Sequence, residues 1–158
     1  MVFKSYYNSP VGILQIISDG EGIVKISLVS EADYGISDVH TEEAVRQLKE
    51  FFAGKRTEFD LPLKITGTPF QKRVYNALLK VPYGSTVSYK DLTIMAGNHR
   101  GFQATGQAVH RNQLMIVVPC HRVISNDGSI GGYTPDINIK KQLLKLEGGW
   151  KMDYNEQV

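Results

Sequence analysis

Residues 118–124 read Val-Pro-Cys-His-Arg-Val-Ile, and Cys120 in this stretch is the only cysteine of the 158-residue chain. A single thiol cannot form an internal disulfide or supply the paired sulfurs of a structural zinc site. It is therefore either a packed core thiol or a nucleophile. The thiolate is the reactive form, and a neighbouring imidazole such as that of His121 favours it. Because adjacent strand residues point to opposite faces, the two side chains meet only if the backbone turns sharply at Cys120, as at the start of a helix.

Charge is distributed unevenly along the chain. Residues 1–67 contain seven Lys/Arg and ten Asp/Glu, whereas residues 68–158 contain eleven and six. Between residues 72 and 122 the one acid, Asp91, faces seven basic side chains. A basic half of this kind fits a polyanionic partner such as nucleic acid, and it equally fits a surface that is merely well solvated.

The sequence also bounds the class of protein. No apolar run approaches the roughly 18 residues of a membrane span, and residues 1–6 lack the pattern of a signal peptide. We therefore expect a cytoplasmic protein with no membrane partner, where a reducing environment suits an unpaired thiol. The four histidines lie at no metal-ligand spacing, and nothing else calls for a metal or cofactor.

The first half of the chain has the pattern of a scaffold. Alternating apolar residues and turn signals predict an antiparallel meander with strands near 2–7, 13–18 and 23–29. Val45, Leu48, Phe51 and Phe52 recur at helical spacing and predict a helix over 41–54. Nothing in residues 1–66 points to chemistry, so we interpret them as a small antiparallel-sheet domain.

The second half, residues 67–150, is predicted to be mostly helical, which makes the fold class α+β; residues 151–158 are a tail. Thr68 to Gln71 form a capping box with proline at the first helical position. Short helices over 88–97 and 102–111 have the spacing of a helix-turn-helix. Residues 115–118 predict a buried strand leading to Cys120, and Asp136 caps a last helix that ends at Gly148.

Together these residues resemble the O6-alkylguanine-DNA alkyltransferases over roughly residues 67–150. The resemblance rests on motifs that occur in order and at compatible spacing: Gly67-Thr-Pro-Phe-Gln71, Ser88-Tyr89, Asn112, Pro119-Cys-His-Arg-Val123, Gly131-Gly-Tyr133, Leu143-Leu144 and Glu147-Gly148. It implies repair of double-stranded DNA containing O6-alkylguanine, by stoichiometric transfer of the alkyl group to the protein's own cysteine. It also implies a protein of the cytoplasm or nucleoid, and we expect a monomer.

The resemblance assigns catalytic roles to five residues. Cys120 is the nucleophile, and its proton passes through a bound water to His121 and on to Glu147. Tyr89 protonates guanine N3 as the base departs. Asn112 ties the turn between the recognition helix and the nucleophile. From the residues alone, Glu147 would equally be a solvated acid at a helix end, and Tyr89 a half-buried aromatic.

The resemblance also implies a base pocket and a DNA-binding surface. Tyr133 forms the pocket wall, Thr134 addresses O6, the Val123 carbonyl reads the exocyclic amine, and Gly131 shapes the loop, although a simple turn also explains that glycine. The recognition helix enters the minor groove, and the target base is flipped out of the duplex. The residues expected to contact DNA are Gln103, Arg100, Gly101, Phe102, Ala104, Gly106, Arg111, Arg122 and Lys90, with Lys72 and Arg73 as further phosphate contacts.

This chain departs from the family pattern at the recognition helix. Gln103 stands where an arginine usually fills the hole left by the flipped base, and Phe102 is bulkier than usual. Pro135 and Asp136 replace a glycine-rich pair after the pocket tyrosine. Two other functions fit parts of the sequence: a lesion sensor that binds without transfer, and a hydrolase with a Cys120–His121–Glu147 triad.

Overall fold

The computed structural model describes residues 1–98, 101–131 and 136–148. Its first three strands are β1 (Phe3–Ser9), β2 (Gly12–Ser18) and β3 (Ile23–Val29), which form an antiparallel sheet in the order β1-β2-β3. The register pairs Phe3 with Ser18 and Ile13 with Val29, with a bulge at Ile17/Ser18. The predicted meander is confirmed.

Helix α1 (Val39–Phe52) packs across β1 and β2. It begins at a reciprocal cap, in which the Asp38 carboxylate accepts the backbone N–H of Thr41 and the Thr41 hydroxyl accepts that of Asp38. Its buried face places Leu48 and Phe51 against the sheet. The first half of the chain thus forms a three-stranded sheet with one helix packed on it.

The remaining elements are mostly helical. They are α2 (Pro69–Leu78), β4 (Val87–Ser88), α3 (Tyr89–Met95), α4 (Phe102–His110), a 3₁₀ turn (Cys120–Arg122), β5 (Val123–Ile124) and α5 (Ile137–Glu147). The predicted capping box at Thr68 starts α2, the Asp136 carboxylate caps α5, and Gly148 ends α5 in the left-handed conformation. The predicted α+β class is therefore the observed one.

A cluster of buried side chains joins the two halves. The segment between α1 and α2 pairs with β3, since Ile23 N–H donates to the Pro62 carbonyl at 2.7 Å. Ile26 of the same strand donates to the Gln113 carbonyl at 2.8 Å and accepts from Met115 at 3.1 Å. The N-terminal sheet therefore braces the segment that leads to Cys120.

The predicted strand over residues 115–118 is wrong. These residues are buried, but they form consecutive turns held by local hydrogen bonds such as Val118 N–H to Leu114 C=O at 2.9 Å. Ile116 has φ of 74°, an unfavourable conformation for a β-branched residue. An apolar β-branched run shows that a segment is buried, but it does not distinguish a strand from a tightly packed turn.

Candidate nucleophile site

Cys120, the candidate nucleophile, lies on a sharp turn of the backbone, as expected from the sequence. Pro119 precedes a 3₁₀ turn over Cys120–Arg122, and the Val123 N–H donates back to the Cys120 carbonyl. Cys120 is 5% exposed and His121 is fully buried. The thiol is thus buried, and what distinguishes it from an inert core thiol is the set of ionisable groups on and around its turn.

His121 is oriented by the last helix. Its Nε2 lies 2.7 Å from Oε2 of Glu147, whose side chain is 1% exposed. Its Nδ1 is buried and has no hydrogen-bond partner within the described part of the chain. Glu147 thus reaches the turn from 26 residues away, as the resemblance implied.

Arg122 completes this buried network. Its Nε and Nη2 donate to the two oxygens of Glu147 at 2.8 and 2.9 Å, and its Nη1 donates to the Val81 carbonyl at 2.7 Å. The guanidinium also lies over the ring of Tyr83 at 5.9 Å. The expectation that Arg122 contacts DNA is therefore wrong, because its donors are turned inward to hold the carboxylate.

The pairing fixes the protonation states. Burial raises the pKa of Glu147, but hydrogen bonds from His121 and Arg122 outweigh it and lower the pKa to about 2. Burial lowers the pKa of His121, against the opposing effect of Glu147. A neutral imidazole beside an ionised carboxylate carries its proton on Nε2 and donates it to Glu147, so Nδ1 is left as an acceptor.

Tyr89 is brought to the same site by a short strand pair. β4 and β5 are parallel, with Val87 opposite Val123, and Tyr89 is the first residue of the helix that follows β4. Burial and the charge of Cys120 both raise the pKa of Tyr89. The phenol is therefore held protonated, and it lies within electrostatic range of the thiol.

Asn112 fastens the buried turns that precede the nucleophile. Its side-chain carbonyl accepts the Leu114 N–H at 2.9 Å, and its amide donates to the Val118 carbonyl at 2.8 Å. Two hydrogen bonds from one side chain span the turn between α4 and Cys120. This is the position that the resemblance assigned to Asn112.

The exposed face of α4 carries most of the residues expected to contact DNA. Gln103, Ala104 and Arg111 are exposed, Phe102 is 46% exposed, and Lys90 is exposed at the start of α3. α3 and α4 pack together through Thr93 and Thr105, whose hydroxyls lie 2.8 Å apart. These exposed side chains are accessible to a partner.

The glycines at this surface have different surroundings. A Cβ at Gly106 would meet nothing within 4 Å, so the helix is narrow there and a partner could approach its backbone closely. A Cβ at Gly101 would lie 2.7 Å from the side-chain nitrogen of Asn98 and 3.2 Å from Cζ of Phe70, so a larger residue there would have to displace these two side chains. Gly131 has φ of 71°, which a turn requires. The predicted site residues Arg100, Tyr133 and Thr134 lie outside the described residues.

The Val123 carbonyl, expected to read a base, has a partner that the sequence did not predict. It accepts the Nζ of Lys140, a lysine on α5 with no exposed surface. A carbonyl oxygen has two lone pairs, so a second donor can still bind. The sequence did contain a signal: Lys140 precedes Glu147 by two helical turns, on the face that also carries Leu143 and Leu144.

Two absences complete the description of residues 1–98, 101–131 and 136–148. Within these ranges, no group of three or more His, Cys, Asp or Glu side chains is arranged to hold a metal ion. Within the same ranges, no helix has the length and apolar character needed to cross a membrane.

The site has the composition of a cysteine-nucleophile centre: the thiol of Cys120, the imidazole of His121 with Nδ1 unbonded among the described residues, and the ionised carboxylate of Glu147. The helices α3 and α4, which pack together, carry exposed side chains of the same half of the chain. Residues 69–149 match the model of the 6-O-methylguanine DNA methyltransferase DNA-binding domain, and residues 2–65 match that of the same family's ribonuclease-like domain. The chain belongs to the 6-O-methylguanine DNA methyltransferase family, as the motifs predicted.

Individual relatives agree with this assignment over nearly the whole chain. A methylated-DNA–protein-cysteine methyltransferase of Methanosarcina barkeri is 39% identical, covering 90% of this chain and 96% of its own. The constitutive enzyme of that name from Bacillus subtilis is 38% identical, covering 97% and 99%. The crystal structure of Mycobacterium tuberculosis O6-methylguanine methyltransferase has a TM-score of 0.84 at 36% identity and covers all of both chains. The M. tuberculosis protein in complex with DNA has a TM-score of 0.83 at 38% identity, covering 90% and 91%.

Proposed function

We propose that this protein repairs DNA by moving a methyl or other alkyl group from guanine O6 to Cys120, once per molecule. The observation that carries the proposal is the Cys120 turn, with His121 held by the ionised Glu147 at 2.7 Å. The relatives' shared name, methylated-DNA–protein-cysteine methyltransferase, supports the same reaction.

The chemistry follows from the protonation states. The thiol of Cys120 gives its proton, through one water molecule, to Nδ1 of His121, and Glu147 stabilises the resulting imidazolium. The thiolate then attacks the alkyl carbon, so that an S–C bond forms while the C–O6 bond breaks and its electron pair stays on guanine. Arg122 keeps Glu147 ionised throughout, so the carboxylate does not compete for the proton.

The leaving guanine needs a proton at N3, and we assign this to the Tyr89 hydroxyl. Its raised pKa keeps the phenol protonated until negative charge develops on the base. The phenolate left behind recovers a proton from the His121 imidazolium through solvent. The sum is one thiol proton lost and one guanine proton gained, with the alkyl group left on sulfur.

DNA binding is assigned to α3 and α4, acting as a helix-turn-helix in the minor groove. The open surface at Gly106 allows close approach to the sugar-phosphate backbone, and Lys90 and Arg111 supply sequence-independent charge. Gln103 fills the space of the flipped base. The predicted contacts of Arg100, Tyr133 and Thr134 belong to the same proposal.

We further propose that residues 1–66 serve as a scaffold and residues 67–150 as the domain for DNA binding and transfer, with residues 151–158 as a tail. The hydrogen bonds of Ile26 in β3 with Gln113 and Met115, in the segment that leads to Cys120, support a bracing role for residues 1–66. Because its substrate lies within DNA, we propose that the protein acts in the cytoplasm or nucleoid, and we expect it to act as a monomer.

Intact mass spectrometry tests the function. The protein is incubated with a duplex containing one O6-methylguanine, and with the same duplex containing guanine as a control. We expect a stoichiometric gain of one methyl from the modified duplex alone, and none in Cys120→Ala. Binding without a mass change would instead identify a lesion sensor, and turnover of an ester substrate would identify a hydrolase.

A further inference from the structure

Lys140 is the one lysine of α5 whose side chain points into the protein core, within the described residues of that helix and its caps. It has no exposed surface, whereas Lys145 on the same helix is exposed. A buried ammonium is costly unless hydrogen bonds and charge compensate it. Nothing in the relay of Cys120, His121 and Glu147 uses this lysine, so its burial calls for a separate explanation.

The contact of Lys140 lies at a junction of the site. Its Nζ donates to the carbonyl of Val123, whose own N–H donates to the Cys120 carbonyl. Val123 also pairs with Val87 of β4, the strand that leads directly into Tyr89. One residue, Val123, therefore links the nucleophile's turn, the strand before the proton donor, and Lys140.

Lys140 and Glu147 act on the same turn from one helix. They lie seven residues apart on α5, so both side chains project from the same face. Glu147 holds the His121–Arg122 side of the turn, and Lys140 holds its exit at Val123. The Glu147 carboxylate therefore lies against the His121 imidazole, and the Lys140 ammonium lies against the Val123 carbonyl, in the backbone that follows Cys120.

We propose that Lys140 is a positioning residue for the transfer reaction: through Val123 it fixes the nucleophile's turn, and its positive charge favours the thiolate of Cys120. This inference rests on the proposed function. Within the described ranges, Tyr75 on α2, Tyr89 on α3 and Lys140 on α5 are electrostatically coupled to Cys120. His121 and Arg122 lie on the turn itself and are paired with Glu147 of α5.

Electrostatic coupling supports the charge part of this role. Burial lowers the pKa of Lys140 to about 8, and the charge of Cys120 opposes that shift. Coupling between two titrating groups is mutual, so an ammonium that the thiolate favours also favours the thiolate. At neutral pH the lysine is still mainly protonated, as this role requires.

The test compares Lys140→Met, which keeps the length of the side chain but removes its charge and donor, with Lys140→Gln, which keeps a donor without charge. Lys145→Met is the matched control, because it changes net charge equally on the exposed face. The rate of Cys120 alkylation by iodoacetamide is followed by intact mass from pH 5 to pH 10, beside urea unfolding.

For both neutral variants we expect the pH midpoint of thiol alkylation to rise by about one unit, which is about tenfold less thiolate at any pH below both midpoints. Lys145→Met should match the parent. Lys140→Met should also lose more transfer rate than Lys140→Gln on saturating alkylated duplex, because it alone lacks the donor to Val123. DNA affinity should stay within about twofold of the parent.

A folded Lys140→Met or Lys140→Gln variant with the parent's pH midpoint would overturn the inference, and should one variant not fold, the other decides. The iodoacetamide reaction does not depend on guanine chemistry. A parent that transfers no methyl group would therefore refute the proposed function, and it would leave the thiol measurement interpretable on its own.

Discussion

Replacing Glu147 by glutamine removes one negative charge from the buried network without changing its size. The carboxylate accepts three short hydrogen bonds, at 2.7 Å from His121 and at 2.8 and 2.9 Å from Arg122, and a long one from the Gly84 N–H at 3.5 Å. Either orientation of the new amide sets its NH₂ against an N–H of Arg122. The guanidinium then remains buried without a counter-charge, which is the costly way to break such a pair.

The magnitude follows from two independent routes. Removing one partner of a buried ion pair costs about 3–5 kcal/mol. The pKa of Glu147 falls from 4.5 to about 2 on folding, which corresponds to about 3 kcal/mol at the usual conversion per pKa unit. We therefore expect Glu147→Gln to lower the free energy of unfolding by about 3 kcal/mol at pH 7.

The sign of the pH dependence is also fixed. A carboxyl group with a depressed folded pKa contributes stability above its unfolded pKa of 4.5 and loses it as the pH falls towards about 2. The stability gap between parent and Glu147→Gln should thus be full at pH 7 and close progressively below pH 4.5. Urea unfolding across this range measures it.

Activity should fall as well, because a neutral amide no longer stabilises the protonated His121. We expect single-turnover methyl transfer to slow by about 10²-fold or more, because general-base catalysis by His121 usually contributes at least that much and depends here on Glu147. Glu43→Gln is the matched control: Glu43 also pairs with an arginine, Arg46, but on the surface of α1, where solvent screens such pairs and they contribute little to stability. A folded Glu147→Gln protein with near-parental rate and unchanged acid stability would refute the reasoning.

Three further predictions concern single side chains. Tyr89→Phe removes the proton donor and should slow transfer by about 10- to 100-fold at unchanged DNA affinity; single-turnover rates and binding titrations separate the two, and equal rates would exclude the role. Asn112→Ala removes the hydrogen bonds to Leu114 and Val118 and should cost about 2–3 kcal/mol in urea unfolding, while a loss below about 0.5 kcal/mol would contradict its fastening role. Gln103→Arg adds a charged side chain to the exposed face of α4 and should improve binding of alkylated duplex by about 1–2 kcal/mol; unchanged affinity and rate would dismiss the proposed filling of the flipped-base space.

The sequence predicted the elements whose signals are local. The three strands have alternating patterns and turn residues, and α2 and α5 have capping residues, so their ends were found within a few positions. The partnership of His121 with Glu147 came from the family resemblance. From spacing alone, Glu147 would equally be interpreted as a solvated acid at the end of a helix.

What the sequence could not predict depends on tertiary contacts. The sequence alone does not show whether Arg122 faces DNA or a buried carboxylate. Its direction depends on α5, which brings Glu147 to it. The turns over residues 115–118 replaced a predicted strand because Asn112 and β3 supply their hydrogen bonds. Lys140 was missed because lysines are rarely fully buried.

The order of the site along the chain has a consequence during protein synthesis. Cys120, His121 and Arg122 leave the ribosome well before Lys140 and Glu147, the two α5 residues that bind their turn. Until α5 has been translated and has docked, the imidazole has no anion to orient it and the guanidinium has no counter-ion. We therefore expect the Cys120 thiol of a nascent chain to remain unreactive until α5 has folded onto its turn.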